Sequence, residues 1–335
     1  MNDTRFAVIG INHAHIYGQV ECLLGAGGKL VGFHAPEGNL AKAFAERYPS
    51  VPRVDDARRL LEDRDIAMVV SAAIPCDRAQ LGIEVMRHGK DYMVDKPGVT
   101  SLEQLAEVRR VQAETKRIYS ICYSEHFETR STVKAGELVR QGAIGKVVST
   151  TGLGPHKLKN LPRPAWFYER RKTGGILTDI ASHQCEQFLF FADALEGEVV
   201  AASVANRANP DRPELHDYGE MLMRAGAVSG YVRVDWMTPD GLPVWGDGRL
   251  MILGTEGYIE LRKYIDIAGQ DGKDHLFLVD RGATRRIDCS DVELPYGAAL
   301  LADIRDRTET AMPQARCFNA MRLALSAQAM AEGRS

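Results

Sequence analysis

The chain has 335 residues, of which 45% are hydrophobic and 26% are charged, and its formal net charge at pH 7 is -3. A chain of this length predicts two domains rather than one. The slightly negative charge argues against a nucleic-acid partner, which would need a basic surface. The sequence shows neither an apolar run as long as a membrane span nor a signal-peptide pattern, so the expected location is the cytoplasm, without a membrane partner.

The six cysteines are widely scattered and contain no C-x-x-C pair; they are Cys22, Cys76, Cys122, Cys185, Cys289 and Cys317. Disulfide frameworks and cysteine metal sites usually show closer spacing. We therefore expect reduced thiols, most of them buried.

Short apolar runs alternate with amphipathic segments from residue 1 to residue 123, which is typical of a parallel sheet with crossover helices. The predicted strands are 6–9, 30–33, 66–72, 92–94 and 118–123, and the predicted helices are 13–24, 39–48, 55–61 and 77–87. Ser101 is the predicted cap of a further helix, with Gln104 in the capping-box position. That helix is expected to turn Leu102, Leu105, Val108 and Val111 inward.

The pattern changes after Tyr123, where we place the domain boundary. The predicted strands of the second part are 147–151, 199–204, 218–224, 229–236, 249–253, 257–261 and 275–279, and the predicted helices are 131–140, 296–307 and 315–331. The β-branched and aromatic residues of these strands are typical of sheet, and their succession predicts a mostly antiparallel sheet.

A first candidate site is the turn GINHAH, residues 10–15, between the first strand and the first helix. A helix N-terminus at this place attracts the pyrophosphate of a dinucleotide through its free N–H groups and the helix dipole. Of the usual G-x-G-x-x-G/A pattern only the first glycine is present, and Asn12 and His15 hold the other positions. His13 and His15 could also bind a metal, but no third ligand lies nearby in the sequence, so we expect no metal site.

A second candidate is VDKP, residues 94–97, at the end of a predicted strand. Ligands of open α/β sheets bind outside the carboxyl ends of the strands, which places Lys96 for chemistry. Taken alone, such a lysine is more often a surface residue in a turn made rigid by proline.

The third candidate is GGILTDIASH, residues 174–183, in which Asp179 and His183 are four residues apart. If the segment after Gly175 is helical, both side chains lie on one face, one turn apart. The pair would suit general acid–base catalysis, with the carboxylate orienting the ring or the substrate. An isolated pair of this kind is more often part of a solvated face or a local hydrogen bond.

The order and spacing of these three segments resemble the Gfo/Idh/MocA family, named for glucose–fructose oxidoreductase, inositol dehydrogenase and a rhizopine-catabolism protein. QGAIGKV (141–147) is similar to the family's G-x-I-G-x-[IV] turn, and GTEGYIEL (254–261) is similar to its late hairpin. The resemblance implies an α/β Rossmann domain at 1–123. An α+β domain with a large, mostly antiparallel open sheet would follow at 124–335, for substrate binding and oligomerisation, and a C-terminal helix could pack back on the first domain.

Members of this family typically oxidise a secondary alcohol of a sugar or cyclitol, or run the reverse, with NAD(H) or NADP(H). The resemblance therefore implies an NAD(P)-dependent dehydrogenase acting on the CH–OH groups of a small polyol or sugar. The implied catalytic residues are Lys96, Asp179 and His183, with Asp95 in place of the family's glutamate. The implied cofactor contacts are Gly10, Ile11, Asn12, His13, Ala14, His15, His34, Ala35, Ala73, Pro75, Asp95, Lys96 and Glu125.

Substrate contacts are expected from Lys96, His126, His156, Trp166, Asp179 and His183. Further candidates are Lys157, Lys159, Arg163, Tyr168, His216 and Asp217; these polar and aromatic groups suit a polyol, although the basic cluster from 157 to 163 could instead recognise a carboxylate.

Three features depart from the family pattern. The glycine fingerprint is eroded, Ala35 stands where NAD-using members usually carry an aspartate, and His126 stands where many relatives have arginine. Glu37 would repel the 2′-phosphate of NADP, so the sequence favours NAD(H).

The mechanism that we predict makes His183 the acceptor of the hydroxyl proton, Asp179 the residue that holds the substrate hydroxyls, and Lys96 the group that polarises the reacting oxygen. Two alternatives remain open: a non-catalytic nucleotide-binding sensor, and a family member that uses tightly bound NAD⁺ to cleave glycosides. The open sheet predicts self-association into a homodimer or homotetramer.

Overall fold

The computed structural model describes residues 4–158 and 163–333, which form two compact units. The first unit contains residues 4–122 and 295–318, and the second contains the described residues of 123–294 and 319–333. The assignment of domains to 1–123 and 124–335 stays a prediction.

The first unit is built on a parallel sheet of five strands in the order β2-β1-β3-β4-β5. The strands are β1 (Arg5–Ile9), β2 (Lys29–His34), β3 (Met68–Ser71), β4 (Asp91–Asp95) and β5 (Tyr119–Cys122). Strands β3, β4 and β5 are buried at every position, as expected of parallel strands covered on both faces.

Crossover helices connect these strands: α1 (His15–Gly25), α2 (Gly38–Arg47), α3 (Arg58–Glu62), α4 (Pro75–Arg87) and α5 (Leu102–Thr115). The predicted cap of α5 is confirmed, because the Ser101 side chain accepts a hydrogen bond from the backbone N–H of Gln104. Helix α5 buries Leu105, Val108 and Val111. The prediction that Leu102 faces inward is wrong: this side chain is 40% exposed, since it is the first helical residue and precedes the turns that pack.

The second unit contains an eight-stranded sheet in the order β13-β12-β11-β10-β6-β9-β8-β7. Its strands are β6 (Val147–Pro155), β7 (Glu198–Ala205), β8 (Tyr218–Ala225), β9 (Val228–Asp235), β10 (Arg249–Gly254), β11 (Gly257–Arg262), β12 (His275–Asp280) and β13 (Thr284–Ile287). Strands β6 and β9 pair in parallel, and the other neighbours pair antiparallel. The predicted mostly antiparallel sheet is confirmed. Strand β13 was not predicted, because its residues TRRI are mostly exposed and lack apolar alternation.

The helices of the second unit are α6 (Ser124–Phe127), α7 (Arg130–Arg140), α8 (Arg170–Thr173), α9 (Ile176–Asp179) and α10 (Ala181–Phe191), with a 3₁₀ turn at Ala165–Tyr168. Helix α10 lies on the sheet, and small residues permit this approach. A Cβ atom added to Gly152 of β6 would lie 2.8 Å from Cγ of Gln184. The position of α10 on the sheet therefore depends on a residue without a side chain.

Two helices complete the described chain: α11 (Tyr296–Asp306) and α12 (Gln314–Ala331). Helix α11 packs on α1, where a Cβ atom added to Gly297 would lie 2.6 Å from the carbonyl oxygen of Cys22. The hydroxyl of Tyr296 lies 2.7 Å from that of Ser120 in β5. Among the described residues, no helix is both long enough and apolar enough to cross a membrane.

Candidate functional site

The turn after β1 is narrow and depends on Gly10. This residue has a φ of +80°, and an added Cβ atom would lie 2.7 Å from Cβ of Ala73. The N–H of Gly10 donates to the carbonyl of His34 at 3.1 Å, and its carbonyl accepts from the N–H of Ala72 at 3.0 Å. Only glycine therefore fits the first position of the eroded fingerprint.

The turn leads into α1, whose N-terminus can accept an anion. The capping residue is Ala14, which makes no side-chain cap hydrogen bond to the first turn. Several N–H groups at this helix start already have acceptors: those of His15, Ile16 and Tyr17 donate to Nδ1 of His13, the carbonyl of His13 and the carbonyl of Ala14. The dipole of α1 still favours an anion at this end. Together with the narrow turn at Gly10, this arrangement fits the pyrophosphate of a dinucleotide.

Glu37, shortly after β2, supplies a carboxylate in the segment where NAD-using members of the family usually carry an aspartate and this chain has Ala35. The amide nitrogen of Asn12 donates to Oε1 of Glu37 at 2.7 Å. The second oxygen of Glu37, Oε2, is buried and has no hydrogen-bond partner among the residues that the structure describes. A carboxylate oxygen in this state is suited to accept a hydrogen bond from a ribose hydroxyl. Nearby, His34 Nδ1 lies 3.0 Å from the carbonyl oxygen of Val54, and the carbonyl of Ala35 accepts from Arg53 at 2.9 Å.

The end of β4 is held by a buried guanidinium. Arg78 on α4, which begins at Pro75, donates to the carbonyls of Asp95, Lys96 and Pro97 at 3.0, 2.6 and 3.1 Å, and to Oδ2 of Asp95 at 3.0 Å. Lys96 is only 6% exposed, so the alternative that it is a surface lysine does not hold. The fold thus fixes the backbone of the D-K-P segment and keeps the lysine inside.

Asp95 also lies beside both histidines of the turn. Nδ1 of His15 is 2.9 Å from Oδ1 of Asp95, and Nδ1 of His13 is 3.4 Å from Oδ2. Partial burial and the neighbouring His15 hold the pKa of His13 well below its ordinary value. Burial alone would raise the pKa of Asp95, but the charges of His15 and Arg78 hold it well below the ordinary value. The expectation of no metal site rested on the lack of a third ligand nearby in the sequence; in the fold, Asp95 lies next to the pair.

Asp179 and His183 lie on two short helices that follow each other almost without a break. Asp179 ends α9, His183 lies in the first turn of α10, and the linking residue Ile180 has helical angles, with φ -83° and ψ -48°. The predicted helical spacing is therefore nearly preserved.

The glycine pair before α9 has a structural task. Gly174 ends α8 with a φ of +85°, and Gly175 follows with a φ of +87°. A Cβ atom added to Gly175 would lie 2.5 Å from Cδ of Gln328 on α12. Oε1 of Gln328 accepts a hydrogen bond from the N–H of Leu177 at 3.0 Å, so it satisfies a donor at the start of α9. Gln328 is 151 residues away from Leu177, and no signal in the sequence pointed to it.

A small cavity with a volume of about 10 Å³, enough for about one water molecule, lies beside Asp179. It is lined by Phe167, Thr173, Gly175, Ile176, Asp179, Glu214, Leu215, His216 and Trp236. The guanidinium of Arg163 lies over the rings of Phe167 and Trp236, at 4.9 and 5.2 Å from their centroids. Burial lowers the pKa of Arg163, and the charge of Asp179 opposes this change. The structure thus brings the candidates Asp179, His216 and Arg163 to one aromatic environment.

His183 is buried next to a network of polar side chains that the sequence did not indicate. Lys263 Nζ donates to Oε2 of Glu125 and to Oε1 of Gln187, each at 2.7 Å. Gln187 in turn donates to the carbonyl of His183 at 3.1 Å, and Gln184 donates to Glu125 at 3.0 Å. Burial would raise the pKa of Glu125, but Lys263 and His183 together lower it to about 2. Glu125 is therefore an ionised, buried carboxylate beside the predicted base.

Two further candidates have close partners within the second unit. Nδ1 of His126 lies 2.8 Å from Oε2 of Glu186, and both side chains are buried. The ring of His156 packs against those of Trp245 and Trp236, with centroids 4.5 and 5.2 Å apart. Their roles as substrate contacts stay predictions.

The other candidates contribute mainly to loops. Trp166 lies half-buried in the 3₁₀ turn, and the neighbouring Tyr168 is covered by the guanidinium of Arg212. Asp217 accepts hydrogen bonds from the backbone N–H groups of Arg207 and Ala208, at 2.7 and 2.8 Å. Lys157 donates to the carbonyl of Asp240. Lys159 lies outside the described residues.

Comparison with known proteins identifies the family. A model described as an oxidoreductase family with an NAD-binding Rossmann fold matches residues 4–123. A model of the GFO/IDH/MocA C-terminal domain matches residues 132–260. The chain belongs to the Gfo/Idh/MocA family. A structure from Erwinia carotovora atroseptica SCRI1043, assigned to the oxidoreductases, has a TM-score of 0.96 and 42% identity, and the match covers 98% of this chain and 99% of that chain.

Two curated relatives have named substrates. The scyllo-inositol 2-dehydrogenase (NAD(+)) of Bacillus subtilis (strain 168) is 24% identical over 265 residues, which cover 77% of this chain and 73% of that protein. The D-xylose dehydrogenase of Paenarthrobacter nicotinovorans is 22% identical over 147 residues, covering 42% of this chain and 38% of that protein. The Gfo/Idh/MocA chain described here thus resembles dehydrogenases of a cyclitol and a sugar.

The Glu125–Lys263 pair predicts a specific pH dependence of stability. Replacing Glu125 with Gln should lower the free energy of unfolding at neutral pH by about 3–5 kcal/mol, because Lys263 loses its buried counter-charge. The pKa of Glu125 falls from an ordinary 4.5 to about 2 on folding. Its stabilising effect is therefore complete above pH 4.5 and is lost as the pH falls through about 2. Urea unfolding of both proteins across this range should show their difference shrinking toward acid.

The matched control is Glu46→Gln, since the Glu46 side chain is 68% exposed. This variant should unfold like the wild type at every pH. A difference for Glu125→Gln that stays constant from neutral pH to acid would contradict the ionised state of Glu125.

Proposed function

We propose that the chain moves hydride between NAD(H) and a secondary alcohol or ketone of a sugar, cyclitol or related polyol. The observation that supports this most is the Asp179–His183 pair at helical spacing, with the aromatic side chains of Phe167 and Trp236 near Asp179. Aromatic rings can stack on the C–H face of a sugar ring while polar groups bind its hydroxyls. The relatives named for scyllo-inositol and D-xylose favour the same substrate class.

The residues divide the chemistry between them in this proposal. When bound, the nicotinamide accepts the hydride of the alcohol carbon. The imidazole of His183 takes the hydroxyl proton, and the Glu125 carboxylate favours the cationic ring that results. The ammonium of Lys96 stabilises negative charge as it develops on the reacting oxygen. Asp179 binds the hydroxyls and fixes the orientation of the sugar.

Removal of these groups should reduce turnover rather than cofactor binding. Lys96→Ala and His183→Ala should each lower turnover at least ~10²-fold, the range of a general acid–base group. The measurement is NADH formation in a screen of polyols with NAD⁺. The matched controls are Lys42→Ala and His88→Ala, which remove an exposed lysine and an exposed histidine. Wild-type turnover in both Lys96→Ala and His183→Ala would contradict the assignment.

The cofactor proposed is NAD(H) rather than NADP(H), because Glu37 presents a carboxylate beyond β2. A 2′-phosphate would be repelled there, whereas a ribose hydroxyl can donate to Oε2. Glu37→Gln should weaken NADH binding about 10-fold, the size of a lost hydrogen bond to a charged group. The affinity for NADH is measured by the quenching of its fluorescence. The control is Glu46→Gln, which should bind NADH like the wild type. Tighter binding of NADPH than of NADH by the wild type would overturn this choice.

The two alternative functions differ from the proposed one in simple assays. A nucleotide-binding sensor would bind NADH without oxidising any polyol of the screen. A glycoside-cleaving enzyme would retain bound cofactor and release sugar without net formation of NADH. The cytoplasm remains the proposed location, because the spacing of the cysteines suits a reducing compartment.

We propose that a second copy of the chain covers the open face of the eight-stranded sheet. In β10, Leu250 and Ile252 are buried whereas Met251 and Leu253 are more than 40% exposed, and Leu253 pairs with the exposed Tyr258 of β11. Leu222 of β8 is a further exposed apolar side chain in the row of Met251, which runs through Thr151 and Tyr231. Exposed apolar side chains on one face of a sheet are typical of interfaces.

The double variant Met251→Glu/Leu253→Glu should shift a homodimer or homotetramer toward monomer, because charges on the face oppose its burial. Light scattering measures the mass. Ile267→Glu is the matched control, since Ile267 is exposed but lies outside the strands. A monomeric wild type would contradict the proposal.

A further inference from the structure

The two histidines of the β1–α1 turn and Asp95 form a cluster with the geometry of a metal site. One ligand atom from each of His13, His15 and Asp95 lies within 4.8 Å of the others. Nδ1 of His13 lies 3.4 Å from Oδ2 of Asp95, close to the roughly 3.4 Å between the ligands of a tetrahedral ion with bonds near 2.1 Å. Nδ1 of His15 lies 2.9 Å from the other oxygen, Oδ1, which is a hydrogen-bond distance, so an ion would have to replace that contact.

We infer that this cluster binds a divalent transition-metal ion of the Zn²⁺ class, through two imidazole nitrogens and one carboxylate oxygen. Three protein ligands leave a fourth position for water or another oxygen ligand, the arrangement of an open zinc site. The three residues belong to the first unit alone, in the turn where the proposed function places the cofactor.

The surroundings of the cluster support ligand behaviour. Nδ1 of His13 accepts a hydrogen bond from the N–H of His15 at 3.3 Å, so this nitrogen carries a lone pair, which an ion would take over from the N–H. Arg78 donates to Asp95 and fixes the carboxylate from outside, as hydrogen-bonded partners of metal ligands commonly do.

The same surroundings select the kind of ion. The positive charges of Arg78 and Lys96 act on His13, and Asp95 is the one carboxylate of the cluster. Mg²⁺ and Ca²⁺ depend on several oxygen ligands, so they are disfavoured here. Zn²⁺, Co²⁺, Ni²⁺ and Cu²⁺ bind imidazole strongly and tolerate a single carboxylate.

The two histidines of the cluster lie in the turn where the glycine fingerprint is incomplete. His13 and His15 occupy the turn in which other dinucleotide-binding chains have glycine, at the start of α1. An ion at this place adds positive charge where the helix N-terminus already attracts anions. The open fourth position can therefore take an oxygen of a phosphate group.

The test is a titration of the metal-free full chain with Co²⁺, followed by the visible absorption of the bound ion and repeated with Zn²⁺ as competitor. The wild type should saturate at one ion per chain, and Zn²⁺ but not excess Mg²⁺ should displace it. His13→Asn and His15→Asn should each weaken binding at least about 10-fold, since even the loss of an outer partner of a ligand costs this much. His88→Asn removes an exposed histidine of the same unit and should bind like the wild type.

Absence of saturable binding by the wild type would overturn the inference, as would unchanged affinity in the double variant His13→Asn/His15→Asn. Circular dichroism of each metal-free variant controls for folding, and His15→Gln at the more exposed histidine replaces any variant that does not fold. The melting temperature gives a second readout: Zn²⁺ should raise it in the wild type and not in His15→Gln. A titration of the metal-free chain with NADH distinguishes failure of this inference from failure of the proposed function. If NADH does not bind, only the proposed function is contradicted.

Discussion

The buried ion pair between Arg78 and Asp95 organises the carboxyl end of β4, and most of the candidate chemistry of the first unit depends on it. A guanidinium removed from water is unfavourable unless its donors are satisfied. Here one side chain supplies donors to the carbonyls of three consecutive residues and to a carboxylate. The cost of burying the charge is thereby offset, and the backbone around Lys96 is held in one conformation. Because Arg78 leaves Oδ1 of Asp95 to His15, one carboxylate connects the D-K-P segment to the turn after β1.

The second unit uses a similar solution around His183. Lys263 and Glu125 neutralise each other in the interior, and two glutamines of α10 add hydrogen bonds to Oε2 of Glu125 and from Nζ of Lys263. The helix that carries His183, the proposed proton acceptor, is thus fixed by polar contacts as well as by apolar packing. Each unit places a buried ion pair near a residue with a proposed chemical role.

The sequence predicted the parts of this molecule that local patterns encode. Apolar runs located the five strands of the first unit, and Ser101 with Gln104 located the start of α5. The spacing of Asp179 and His183 indicated their common face. Contacts between residues far apart in the chain left no such pattern: Asp95 beside His13 and His15, Lys263 beside Glu125, and Gln328 at the start of α9 depend on the tertiary fold. Glu37 illustrates a middle case, since its charge was evident but its hydrogen bond from Asn12 was not.

Helix α12 has a consequence for how the chain can be handled. Its Gln328 accepts from Leu177, packs against Gly175 and donates to His216, so one amide near the C-terminus joins the glycine pair to the wall of the Asp179 cavity. Removal of the chain from residue 328 onward would leave the N–H of Leu177 without this acceptor. A truncation in α12 would therefore disturb the start of α9, which is distant in the sequence and carries Asp179 at its end.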